Sequence, residues 1–159
     1  MLHIREASED DVPVILLFIH ALAEYERMAD KVVATEASLR ATLFGKTRYA
    51  EVLIGEENDD PVAFALFFHN YSTFLGRPGV YLEDLFVKPE ARGRGYGRAM
   101  LARLAKIAHQ RNCGRLEWWV LDWNEDAIGF YRKLGAVPMN EWTVFRLTGE
   151  ALERLAMSS

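Results

Sequence analysis

The sequence predicts an α/β fold: a mixed, mostly antiparallel central sheet flanked by helices. Two observations carry this. The first half of the chain holds short strand-like runs joined in hairpin fashion, and from residue 80 onward strand-like and helix-like runs alternate as β-α-β-α-β. A chain of 159 residues, half of them hydrophobic, is expected to fold as a single domain over 1–159.

His3-Ile-Arg-Glu6 alternates and reads as a short first strand. Ser8-Glu-Asp-Asp11 has the form of a capping box with acids in the first turn. The helix it opens is expected to run to about Met28, with Val14, Leu17, Phe18, Ala21, Leu22 and Tyr25 as its apolar stripe. Thr35-Glu-Ala-Ser38 starts a second helix, which Gly45 ends. Tyr49 to Glu56 reads as a strand, Asn58-Asp-Asp-Pro61 as a turn, and Val62 to Phe68 as the returning strand. Asn70 to Gly79 reads as a polar, aromatic loop over a site. A strand over Val80–Val87 follows, then a long helix from about Tyr96 to Asn112 and a strand over Arg115–Leu121. A helix from about Glu125 to Leu134 and a strand near Thr143–Leu147 come next, and Thr148 caps a short terminal helix.

Composition excludes several classes. A net charge of −4 offers no whole-chain basic footprint for nucleic acid, and it suits a cationic substrate. Cys113 is the one cysteine, so no intrachain disulfide can form and a reducing, cytoplasmic setting is expected. Between Asn112 and Gly114 at a helix end, it reads as a packed thiol. The stretch from Arg5 to Asp11 is charged, so no signal peptide is expected. No apolar run reaches the ~18 residues of a membrane span. His3, His20, His69 and His109 are scattered without metal-ligand spacing, so no metal is expected.

Arg92-Gly93-Arg94-Gly95-Tyr96-Gly97 carries the most chemistry. It lies between a strand-like run and an apolar-periodic helix. Its glycines let the backbone turn sharply and approach a ligand without Cβ interference. The helix N-terminus it feeds presents unpaired N–H groups and a dipole to anions. Arg92, Arg94 and Arg98 add charge, and together these make a pyrophosphate cradle. A P-loop would end in Gly-Lys-Ser/Thr, whereas this loop ends Gly97-Arg98-Ala99. A dinucleotide fingerprint belongs in the first βαβ unit, and this loop lies past mid-chain.

Arg92-x-x-Gly95-x-Gly97 after Val87-Lys-Pro resembles the coenzyme A loop of the GCN5-related N-acetyltransferase superfamily. Asn124-Glu-Asp-Ala127-Ile-Gly-Phe130-Tyr131, followed by Leu134-Gly135-Ala136, is similar to that superfamily's Asn-x-x-Ala-x-x-Phe-Tyr segment. Ala23-Glu-Tyr-Glu-Arg-Met28, Thr35-Glu36, Tyr81-Leu-Glu-Asp-Leu-Phe-Val87 and Trp123-Asn-Glu125 resemble the spermidine/spermine (diamine) and thialysine N-acetyltransferases. The resemblance covers nearly the whole chain. It implies a sheet splayed into an acyl-coenzyme A cleft, acetyl-CoA as acetyl donor, a small cationic amine as partner and a homodimer.

Acetyl transfer to an amine makes three demands. The amine must lose its proton, although a free alkyl ammonium titrates at roughly 10.4. The oxyanion needs a hydrogen-bond donor. The departing thiolate needs a proton. The resemblance assigns Tyr131 as general acid, and a phenol titrating at about 10 is protonated at neutral pH. It assigns Glu83 as the group that takes the amine proton through water. Neighbouring strand residues point to opposite faces, so Asp84 is expected to face another part of the substrate channel. Two adjacent acids inside an otherwise apolar strand are costly unless paired, which favours a functional role over a bland surface.

The remaining site residues follow from the same resemblance. The backbone of Leu85, Phe86 and Val87 would pair with the pantetheine arm, with the Leu85 N–H as oxyanion donor. Arg92, Gly93, Arg94, Gly95, Tyr96, Gly97 and Arg98 would hold the pyrophosphate. Asn124, Ala127, Phe130, Tyr131 and Lys133 would complete the coenzyme site. Asn124 also reads as an N-cap. Tyr25, Glu26, Glu83, Asp84, Glu117, Trp119 and Glu141 would line the amine site. Four tryptophans fall within 25 residues (Trp118, Trp119, Trp123, Trp142), and most read as core.

The diamine-acting members carry Asp-Pro-Trp where this chain reads Tyr71-Ser-Thr-Phe74, so Ser72 replaces an acid. Ser72-Thr73 looks more like the thialysine branch, and Arg77 could favour a substrate with a carboxylate. The function expected is acetyl transfer to a primary amine of a small diamine- or polyamine-like substrate. The alternatives are a thialysine or other amino-acid side-chain amine, a protein amine, or a non-catalytic acyl-CoA-binding module.

Overall fold

The structure, a computed structural model, describes residues 1–158. Contacts divide these into two compact units, Met1–Leu121 and the residues from Asp122 onward.

The first unit is an open five-stranded sheet in the order β1-β2-β3-β4-β5. Its strands are β1 (His3–Glu6), β2 (Glu51–Glu57), β3 (Asp60–Ser72), β4 (Arg77–Val87) and β5 (Leu116–Trp118). The first four pair antiparallel, and β5 joins β4 parallel after a crossover through helix α3 (Tyr96–Gln110). The expected mixed, mostly antiparallel sheet is therefore present. Helices α1 (Val12–Tyr25) and α2 (Glu36–Leu43) complete the unit.

The first core lies between the sheet and α1–α2. Ile54, Phe64 and Phe86 sit side by side on three strands and meet Val12, Ile15, Phe18 and Leu22 of α1. Phe18 stacks on Phe64 at 5.1 Å and meets Phe86 edge-on at 6.3 Å. Each such buried side chain contributes roughly 1.5–3 kcal/mol. Helix α3 contacts β3, β4 and β5, with Met100 and Leu104 fully buried.

Several elements differ from the sequence expectations. The Ser8–Asp11 capping box forms, but over a 3-10 turn at Glu9–Asp11, and α1 begins only at Val12. The buried stripe is consequently Val12, Ile15, Phe18 and Leu22, and Leu17 is 68 % exposed. The Asn70–Gly79 segment is mostly strand. β3 runs to Ser72, β4 begins at Arg77, and Gly76 at φ 64° closes the turn by donating to the Ser72 carbonyl at 2.8 Å. Polarity there marked an exposed hairpin end, not a loop. β5 spans three residues, shorter than Arg115–Leu121.

The second unit holds α4 (Glu125–Lys133) and α5 (Gly149–Met157). No strand forms near Thr143–Leu147. Alternating side chains make a strand only when a ladder partner is supplied.

Arg5 is the main polar anchor of the first unit. It donates two hydrogen bonds to Asp11 (2.8 and 2.9 Å) and two to Glu56 (2.9 and 3.5 Å). Asp11 also accepts from the Ser8 N–H at 2.7 Å. Arg5 holds the Asp11 carboxyl below its ordinary range. That stability is present above the ordinary carboxylate pKa and is lost as pH falls through the depressed one. Arg5→Leu strands a nearly buried carboxylate, so urea denaturation at pH 7 is expected to show a loss of about 2 kcal/mol, discounted for partial exposure. The loss should shrink at pH 3.

Candidate active site

The glycine loop is built by its φ requirements. β4 ends at Val87, and the Lys88 N–H bonds the Val62 carbonyl at 2.8 Å. A 3-10 turn over Pro89–Ala91 follows. Gly93 and Gly95 both stand at φ 80°, where a side chain is strained, although a Cβ at either would meet nothing within 4 Å. Glycine is thus required by backbone conformation and leaves open space over the loop. No side chain caps the first turn of α3. An uncapped helix start under an open, glycine-built turn suits an anion.

The loop's arginines divide. Arg92 folds back: its Nε donates to the Val87 carbonyl at 2.9 Å, and its guanidinium lies 5.0 Å from the Tyr25 ring and 5.2 Å from the Phe86 ring. Arg94 pairs with Glu57 at 2.7 Å. Arg98 is exposed and makes no ion pair among the described residues. Tyr96, expected at the pyrophosphate, is 9 % exposed, and its hydroxyl bonds Glu57. Tyr96 and Arg94 together hold the Glu57 carboxyl below its ordinary range.

β4 carries two further features. β5 pairs with it only over Val80, Tyr81 and Leu82. Beyond Leu82 the side of β4 away from β3 is not laddered to β5, and Leu85, Phe86 and Val87 fall in that stretch. The second feature is a bulge. Leu66 pairs with Asp84 but Phe67 pairs with Leu82, so Glu83 is the extra residue on β4.

The bulge breaks the strict alternation from which Glu83 and Asp84 are expected to face different parts of the site. Asp84 shares the α1 face with Leu66 and Phe86, and Glu83 is near enough to raise it. Burial first, then the charges of Glu83 and Glu26, push Asp84 up to about 7. Burial and Glu83 also raise Glu26, which caps the C-terminal end of α1. Tyr81 is raised by burial, Glu83 and Glu117. Its ring meets Trp119 edge-on at 5.9 Å and Phe68 at 5.2 Å. Asn70 donates to Glu117 at 3.1 Å. Glu26, Glu83 and Asp84 thus form one acidic cluster, with Tyr81 linking it to Glu117. Of its members, Asn70 and Tyr81 were not singled out from sequence. A polar Asn within an alternating strand was the available signal.

Other predicted residues lie elsewhere. Arg77 donates to Asn112 at 3.2 Å. It stands six residues from Glu83 along β4, on the order of 20 Å away. Ser72 accepts from the Leu75 N–H at 3.2 Å, within the hairpin turn. His69 Nδ1 bonds the Gly79 carbonyl at 3.0 Å, which leaves Nε2 to accept from Arg111 at 2.9 Å. Cys113 is half-buried.

The second unit contains α4. Asn124 caps it, accepting from the Ala127 N–H at 3.3 Å. Phe130 and Tyr131 are neighbours on it, 5.6 Å apart, and Lys133 is its last residue. Glu141 lies in the irregular segment between α4 and α5.

The sequence model of the "Acetyltransferase (GNAT) family" matches residues 19–136. The chain belongs to the GNAT acetyltransferase family. It is 42 % identical to a thialysine N-epsilon-acetyltransferase of Bos taurus, over 96 % of each chain. An L-ornithine N5-acetyltransferase of Arabidopsis thaliana is 34 % identical, over 96 % of this chain and 86 % of that one. A human spermidine/spermine N(1)-acetyltransferase-like protein is also 34 % identical, over 96 % of this chain but 23 % of that one. Among solved structures, an integron cassette protein from V. cholerae superposes with a TM-score of 0.83 at 29 % identity, over 99 % of this chain and 98 % of that one. This GNAT protein is accordingly an acetyl-transferring enzyme of a family that uses acetyl-CoA.

Proposed function

We propose that this GNAT enzyme acetylates the side-chain amine of a small cationic amino acid of the thialysine or ornithine kind. The acidic cluster supports the amine end. Glu83 and Glu26 both lie near enough to raise Asp84, and an ammonium among them would relieve that repulsion. The names of the relatives that this chain covers over 96 % and 86 % of their own length support the amino-acid choice. So does Ser72, which places no carboxylate on the hairpin for a distal ammonium. A second reading, a diamine or polyamine, is favoured by the number of acids, since Glu117 adds to a cluster already larger than one ammonium needs.

The glycine loop, the uncapped start of α3 and the free side of β4 suit acetyl-CoA, which supplies the acetyl group and a thiol leaving group. Arg98 and the loop N–H groups would hold its phosphates, and Leu85 to Val87 its arm. Glu83 would hold the ammonium, with Asp84 poised to take its proton through water. The Leu85 N–H would face the charge developing on the acyl oxygen. Tyr131 would give its phenolic proton to the sulfur. We also propose a cytoplasmic homodimer; no helix among the described residues is long and apolar enough to cross a membrane.

A thiol-release assay tests the acceptor. Thialysine, ornithine, lysine, putrescine, spermidine and a lysine peptide would be compared by kcat/KM. Highest turnover on thialysine or ornithine is expected. Preference for putrescine or spermidine would establish the second reading, and turnover on the peptide alone would overturn both.

A further inference from the structure

The glycine loop is tied down by a residue outside every motif discussed above. Glu57, the last residue of β2, accepts from Arg94 Nη1 through both carboxylate oxygens, at 2.7 and 2.8 Å. The same carboxylate accepts from the Tyr96 hydroxyl. Arg94 Nη2 adds a bond to the Glu90 carbonyl at 3.3 Å. One carboxylate therefore grips the residues on both sides of Gly95, which stands at φ 80°.

The anchor is itself rigid. Glu57 pairs with Asp60 across a two-residue turn whose central residues, Asn58 and Asp59, have φ 52° and 64°. Tyr96 packs with Val62 and Ala91 and has little freedom to swing away. The loop between these fixed points carries Gly93 and Gly95, which lose the most conformational freedom on ordering. Ordering a flexible loop costs conformational entropy, and a loop already held in shape escapes that cost when a ligand binds.

We infer that Glu57 is a positioning residue for the coenzyme loop: it holds Arg94 and Tyr96 so that the backbone N–H groups from Gly93 to Gly97 face one anion. Arg94 then acts through Glu57 and not as a phosphate contact, and its charge is already matched. This rests on the proposed coenzyme site. It adds that a carboxylate, which alone would repel the coenzyme phosphates, strengthens their binding.

Calorimetric titration of the full chain with coenzyme A tests it. Glu57→Gln is expected to raise Kd about fivefold or more, a loss of roughly 1 kcal/mol. Glu57→Asp should recover part of the affinity. In steady state, KM for acetyl-CoA should rise while kcat at saturation and the amine KM hold. Arg94→Gln should weaken binding in the wild type and add little in the Glu57→Gln background. Unchanged or tighter binding by Glu57→Gln would overturn the inference, because the carboxylate would then be a bystander or a competitor for Arg94. An equal effect of Arg94→Gln in both backgrounds would overturn it too, by making Arg94 a direct contact. If Glu57→Gln fails to fold, Tyr96→Phe carries the same expectation through the other half of the tie. Absence of coenzyme binding by the wild type would instead defeat the coenzyme reading itself.

Discussion

Tyr131→Phe is expected to lower kcat about a hundredfold or more while the Kd for coenzyme A changes less than about threefold. The substitution removes one hydroxyl and keeps the ring, so the packing of Phe130 against it is retained. What is lost is the phenolic proton that a departing thiolate requires. Single-turnover kinetics with pre-bound acetyl-CoA separate chemistry from product release. A thiol-ester donor whose leaving group is more acidic than coenzyme A should be the least affected, since it needs the proton least. An unchanged kcat would remove Tyr131 from the proton path. A matched loss of kcat and coenzyme affinity would make it a binding residue only.

Asp84→Asn is expected to act in opposite directions on stability and activity. Burial and the neighbouring charges of Glu83 and Glu26 raise the Asp84 carboxyl from 3.8 to about 7. A carboxyl raised by folding binds its proton more tightly in the native state. Its contribution to stability is therefore full below the ordinary value and is lost as pH rises from about 4 to about 7. Above pH 7 the folded protein carries a buried charge that unfolding would expose to water. Asp84→Asn removes that charge, so Tm at pH 8 should rise, with a gain on the order of 2 kcal/mol, and Tm at pH 3 should change little. kcat/KM should fall about a hundredfold. In the wild type, the acid limb of the kcat/KM profile should fall off below about pH 7, and Asp84→Asn should abolish that limb. Retention of the limb would assign it to another group. Lower stability at pH 8 would mean that the Asp84 carboxylate has a partner worth more than its burial costs.

Part of this site could be read without coordinates because its signals are local. Gly93 and Gly95 were placed by the turn they permit, and both adopt the positive φ that demands glycine. The Ser8–Asp11 and Thr35–Ser38 caps form between residues three apart, so their spacing suffices. The order of strands and helices follows from periodicity, and so does the antiparallel half of the sheet, because Asn58-Asp59 is a hairpin turn in its own right. The failures cluster where a partner far along the chain decides. Thr143–Leu147 alternates like a strand but has no ladder to join. Asn70–Gly79 is polar enough for a loop, yet continues two strands that hold each other in register.

The sequence by itself determined the chemistry on offer: an anion cradle, an acidic strand and a phenol on a helix. The tertiary structure decided how these groups are used. Strict alternation puts Glu83 and Asp84 on opposite faces. The bulge, a matter of pairing between β3 and β4, breaks that alternation at Glu83, and Glu26 from α1 lies near enough to raise Asp84. Arg77 is spent on Asn112, and Arg94 on Glu57, which lies 37 positions earlier. Local periodicity tells a side chain which face it is on, whereas register across strands tells it which partner it meets.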